Sequence, residues 1–108
     1  MSRPDDLAPE RREALFDEWM RRNPGAIQVI ELWAIDYDRR GLRVSTKLLV
    51  EKIRYDWPHK THGVPFVDAR GRQRTYSVNN NDTAVMARWL LRRHPGLRIE
   101  TRESELDG

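Results

Sequence analysis

The chain has 108 residues, no cysteine, 38% hydrophobic residues and 34% charged ones, which suits one compact domain with short tails and leaves no room for a second. No run approaches the roughly 20 apolar residues that a membrane span needs. Met1-Ser2-Arg3-Pro4-Asp5-Asp6 lacks the apolar core of a secretory signal, so a cytoplasmic protein is expected. Without cysteine there is no disulfide framework, no thiolate zinc site and no cysteine nucleophile. A packed core must carry the stability, and four Trp, three Tyr and two Phe can nucleate one.

The formal net charge of +3 hides a segregation. Residues 1–38 hold five Arg against nine acids, residues 39–98 hold fourteen Lys or Arg against four acids, and residues 99–108 hold one Arg against four. A basic middle between acidic ends is the charge pattern of a polyanion-binding surface, because clustered cations attract phosphates better than interleaved ones. Arg outnumbers Lys seventeen to three. Its planar fork suits bidentate phosphate or guanine contacts, although GC-rich coding would explain the count equally well. The segregation is therefore the stronger signal.

In chain order, Ala8-Pro9-Glu10 opens a helix, since Pro in the first turn costs no hydrogen bond and an acid there meets the positive dipole end. Leu15, Phe16, Trp19 and Met20 form its apolar stripe, and Asn23-Pro24-Gly25 ends it. A second helix carries Ile27, Ile30, Trp33, Ala34 and Tyr37 on one face and stops at Gly41 after Arg39-Arg40. Arg43-Val44-Ser45-Thr46 opens a third, with Ser45 as N-cap, Val44 as hydrophobic lead-in, and Leu48, Leu49, Ile53 and Trp57 as its buried face. Pro58 terminates it.

The period then changes from 3.6 to 2. Val64-Pro65-Phe66-Val67 and Gln73-Arg74-Thr75-Tyr76-Ser77-Val78 read as two strands joined by a turn at Asp68-Ala69-Arg70-Gly71. A lone hairpin is marginal, so this one should lean on the helices through Phe66, Tyr76 and Val78. Asn79-Asn80-Asn81-Asp82-Thr83 supplies caps for a fourth helix, whose apolar face is Ala84, Ala87, Trp89, Leu90 and Leu91 and whose basic face is Arg88, Arg92 and Arg93. His94-Pro95-Gly96 closes it, and Leu97-Arg98-Ile99 forms a short strand or an extended tail. The expected organisation is a flexible tail over residues 1–8, one domain over 9–100 and an acidic tail over 101–108. The fold class is α+β, mostly helical, and winged helix-turn-helix-like: three helices, a hairpin, then a fourth helix.

Phe16-Asp17-Glu18-Trp19, Asn23-Pro24, Glu51-Lys52-Ile53-Arg54, Tyr76-Ser77-Val78-Asn79-Asn80-Asn81, Ala87-Arg88, Pro95 and Arg102 together resemble a group of small proteins found in bacteriophages, prophages and related bacterial genomes. The resemblance spans roughly residues 15–102 and departs at Asp82, where an aromatic residue is expected. It implies a phage-like origin and a bacterial cytoplasm, carries over no activity, and favours two occupations: binding DNA, or binding a host protein to redirect it.

Among side-chain groupings, Arg70, Arg72 and Arg74 stand out, because alternate strand residues project to one side and three guanidinium groups there would track phosphates. The same charges would also protect an edge strand from pairing. Asn79, Asn80 and Asn81 can cap a helix or read adenine, and the two roles are compatible. The N-terminal end of the fourth helix, with Asn80, Asn81 and Thr83, is the favoured reader over the third helix, with Thr46, Lys47 and Arg54. His59 and His62 with Asp68 lack the fixed spacing of a metal or nuclease site. No phosphate-cradling glycine loop, nucleophile elbow or Ser-His-Asp pattern occurs, so no cofactor and no enzymatic activity are expected. The four Trp fall on buried stripes, with Trp57 the one placed to anchor a partner instead.

The sequence thus points to a small non-enzymatic, regulatory, phage-like protein that binds double-stranded DNA. Lys47, Arg70, Arg72, Arg74, Asn80, Asn81, Thr83, Arg88 and Arg92 are its candidate contacts. The alternative is an interaction module that binds a host or phage protein through the acidic first helix or an apolar patch including Trp57.

Overall fold

A computed structural model describes residues 7–57 and 61–100. The N-terminal tail up to residue 6, His59 and the acidic C-terminal tail lie outside the described residues. The chain forms α1 (Pro9–Arg22), α2 (Pro24–Arg39), β1 (Val44–Ser45), α3 (Thr46–Asp56), β2 (Val64–Val67), β3 (Gln73–Tyr76), a 3-10 turn (Asn80–Asp82), α4 (Thr83–Arg93) and β4 (Ile99–Glu100). The fold is therefore α+β and mostly helical, as expected. Leu7 and Ala8 belong to the domain and not to a tail: Leu7 packs against the core, and the Ala8 carbonyl accepts the Arg12 N–H at 2.9 Å.

Helix boundaries follow the local chemistry. Pro9 and Pro24 each sit in a first turn, where a missing N–H leaves no bond unmade. Ser45 caps α3 by accepting the Leu48 N–H at 3.2 Å. One apolar core joins Phe16 and Trp19 of α1, Ile30 and Ala34 of α2, Leu49, Val50 and Ile53 of α3, Met86 and Leu90 of α4, and Tyr76 and Val78 beside them. Tyr76 and Val78 anchor the hairpin from inside, and Phe66 packs on the core edge.

Two helices turn differently from their sequence stripes. In α3 the buried face is Thr46, Leu49, Val50 and Ile53, while Leu48 is 40% exposed. In α4 it is Val85, Met86, Ala87 and Leu90, with Leu91 at the surface. At the start of α4 the Asp82 carboxylate is fully buried and bonded to Arg12, which ties that helix end to α1.

The sheets divide the short strands unexpectedly. β2 and β3 pair antiparallel, with Val64 opposite Tyr76 and Phe66 opposite Arg74. β1, read from sequence as a helix lead-in, pairs parallel with β4, Val44 opposite Ile99. The strand before α3 therefore joins the C-terminal strand, and the hairpin remains a separate two-stranded sheet.

Candidate nucleic-acid interface

The hairpin turn is built around Asp68. Its Oδ1 accepts the backbone N–H groups of Arg70 and Arg72, each at 2.9 Å, and Gly71 takes the left-handed φ of 80° that the turn requires. The bond from the Arg72 N–H, opposed by partial burial and helped by the Arg70 N–H and the charges of Arg74 and Arg72, holds the Asp68 carboxyl below its usual value. Arg70 and Arg72 lie in this turn and are exposed; only Arg74 lies in the ladder. The three arginines therefore do not form one strand-face row. Arg74 sits half-buried at 5.9 Å from the Phe66 ring centroid and 3.9 Å from Asp68 Oδ2. Arg11 of α1 covers Phe66 at 5.3 Å and donates from Nη2 to the Val67 carbonyl.

The asparagine run is chiefly a structural knot. The Asn79 side chain accepts the Asn81 N–H at 2.9 Å and donates to the Ser77 carbonyl at 3.0 Å, while Asp82 Oδ2 accepts the Asn79 N–H at 2.9 Å, closing a capping box. Asn80 and Asn81 keep exposed side chains, and Thr83 is half-buried. Asp82 Oδ1 meets Arg12 Nη1 of α1 at 2.8 Å, both side chains buried. Burial pushes the Asp82 carboxyl above its usual value, opposed by the donors Arg12, Asn79 and Tyr76. A carboxylate at the start of α4 makes that helix end a poor approach for phosphate.

Sequence reasoning missed this pair because Arg12 and Asp82 lie 70 residues apart. The i, i+3, i+4 relation of Arg12 to Leu15 and Phe16 was the available signal. A second missed residue is Asn23. Its side chain donates to the carbonyls of Trp19 and His62 at 2.7 and 2.9 Å and accepts the His62 N–H at 2.5 Å, fixing the segment that enters the hairpin.

Cations on α4 and the C-terminal segment are met by acids of the first two helices. Arg88 pairs with Glu13 at 3.3 Å, Arg93 with Glu31 at 2.5 Å, and Arg98 with Asp38 at 3.5 Å. Arg92 is exposed. On α3, Lys47 and Arg54 are both exposed and seven residues apart, hence on one face together with half-buried Glu51, whereas Thr46 is buried. Arg54 and Arg74 line a common pocket of about 250 Å³ between α3 and the hairpin.

No protein-family model, curated protein or solved structure matches this chain.

Among the described residues no three His, Asp or Glu side chains gather to hold a metal, and no helix is long and apolar enough to cross a membrane. Trp57 does not stand free as a partner anchor: its ring lies 3.7 Å from where a Cβ on Gly25 would sit. The exposed apolar side chains include Tyr55, 81% exposed, and Leu32, 64% exposed, on different helices.

Proposed function

We propose that the chain is a small, non-catalytic duplex-DNA-binding protein of the regulatory, phage-like kind, and that it grips DNA with α3 and the hairpin, in the manner of a winged helix. The observation that supports this reading most is the pocket lined by both Arg54 of α3 and Arg74 of the hairpin. In this reading Lys47 and Arg54 on α3, and Arg70, Arg72 and Arg74 on the hairpin, are the contacting cations. The assignment of the reader moves from α4 to α3, because Asp82 occupies the start of α4 and Arg88 is paired with Glu13. Asn80, Asn81, Thr83 and Arg92 become peripheral.

Fluorescence anisotropy with a short duplex at several salt concentrations tests the proposal. With about five phosphates neutralised, log affinity falls against log salt with a slope of roughly −4.5. Arg70→Ala with Arg72→Ala, both at exposed turn positions, weakens binding to every sequence alike, while Lys47→Ala on the α3 face alters the preference among sequences. Absence of binding at low salt overturns the reading, and a purified complex that survives nuclease treatment favours a protein partner instead.

A further inference from the structure

The pocket between α3 and the hairpin has a chemistry of its own. Its lining includes the uninterrupted run 74–79, so it follows the edge of β3. In an antiparallel ladder, bonded and non-bonded pairs alternate. The Asp68 N–H donates to the Arg72 carbonyl at 2.9 Å, which fixes the parity. Phe66 with Arg74 and Val64 with Tyr76 are then the bonded pairs, and Pro65, which has no N–H, falls opposite Thr75 in a non-bonded pair. The backbone N–H of Thr75 consequently points away from β2, toward the edge along which the pocket runs.

Residues able to donate line it from two elements: Arg54 of α3, and Arg74 and Thr75 of β3, the last with its backbone N–H on the strand edge. None of the described residues lining the pocket is acidic; Asp68, which lies 3.9 Å from Arg74, is outside the lining. A sheet edge that presents an outward N–H beside arginines suits an anion, and Arg adds the forked geometry that phosphate oxygens match. The volume of about 250 Å³ holds roughly eight water-sized groups at about 30 Å³ each, enough for the five heavy atoms of a phosphate group.

We propose that this groove is a phosphate-binding site, taking the phosphate group of a nucleic-acid backbone or of a free mononucleotide between Arg54, Arg74 and the edge of β3. It deepens the duplex-binding reading and rests on it for the backbone source alone.

The test is nuclear magnetic resonance of the ¹⁵N-labelled full chain, titrated separately with inorganic phosphate, adenosine monophosphate and a short duplex, with chloride at matched ionic strength as the control. Phosphate is expected to shift the amides of Thr75 and Ser77 and the Nε–H signals of Arg54 and Arg74, where chloride leaves them in place. Arg54→Ala, at an exposed position that packing does not need, weakens the phosphate response about tenfold, and Arg74→Gln does likewise. Tighter binding of the monophosphate than of inorganic phosphate identifies a free nucleotide as the source; displacement of phosphate by the duplex identifies the backbone. Shifts absent from these groups, or undiminished in Arg54→Ala, overturn the site. Duplex binding that persists without a phosphate response refutes the pocket alone, and a phosphate response without duplex binding refutes the DNA reading alone.

Discussion

Asp82 carries no exposure and accepts bonds from Arg12 and from the Asn79 backbone, so one carboxylate ties α1 to the start of α4. Removing one partner of such a pair strands the other charge away from water. Arg12→Leu is therefore expected to lower stability by about 3–5 kcal/mol in urea unfolding, and adding Asp82→Asn should recover part of the loss by removing the stranded charge. Full additivity of the two changes would refute the coupling. Gly63 shows a steric constraint of the same local kind. A Cβ there would stand 2.3 Å from Thr75 Cγ2 and 3.3 Å from the Tyr76 carbonyl oxygen. Gly63→Ala should cost about 1–3 kcal/mol, measured as a fall in Tm, and Thr75→Ser in the same chain, which deletes that Cγ2, should restore much of it.

Between elements, Glu31 of α2 holds the C-terminal end of α4 through Arg93 and His94, the latter at 3.0 Å. Burial alone would raise its carboxyl, but the hydrogen bonds and charges of Arg93 and His94 outweigh it and hold the group below its usual value. A carboxyl lowered in the folded chain contributes stability that is present above the unfolded value and is lost as pH falls through the folded one. Thermal unfolding should accordingly show Tm dropping on acidification below the usual carboxylate range. Glu31→Gln should flatten that drop while lowering Tm at neutral pH, and an unchanged acid slope would show that the link contributes nothing. The hairpin illustrates the same dependence of one element on others: it is a two-stranded sheet, marginal alone, held by Tyr76 and Val78 in the core, by Arg11 over Phe66, and by Asn23 at its entrance.

Across the molecule, folding redistributes the charge that the chain segregates. Acids of α1 and α2 meet cations of the basic remainder in Glu13–Arg88, Glu31–Arg93 and Asp38–Arg98, so the excess of cations between residues 39 and 98 is partly neutralised. Arg39, Arg43, Lys47, Arg54, Arg70, Arg72 and Arg92 stay at the surface on several elements, α3 and the hairpin among them. The Glu13–Arg88 pair is well exposed and worth little to stability. Glu13→Gln should leave Tm within a degree or so yet release Arg88, strengthening duplex affinity about twofold at low salt, with the gain vanishing at high salt. No gain at any salt would place α4 outside the reach of DNA.

The positions of the four helices and of the hairpin were legible from the chain because their signals are local: prolines in first turns, the Ser45 cap, and the shift from helical to alternating periodicity. The turn chemistry of Asp68 and Gly71 was legible for the same reason. The partner of β1, the buried Arg12–Asp82 pair, the rotation of α3 and α4, and the pocket of Arg54 and Arg74 were not. Each depends on residues tens of positions apart, and a charged side chain reads as solvated from sequence because its burial becomes affordable only beside the partner that folding brings to it. Composition and local pattern thus determined what elements exist and how much cationic charge the chain carries. The tertiary structure decided which of those cations meet acids, since charge pairing depends on distance in space and not along the chain.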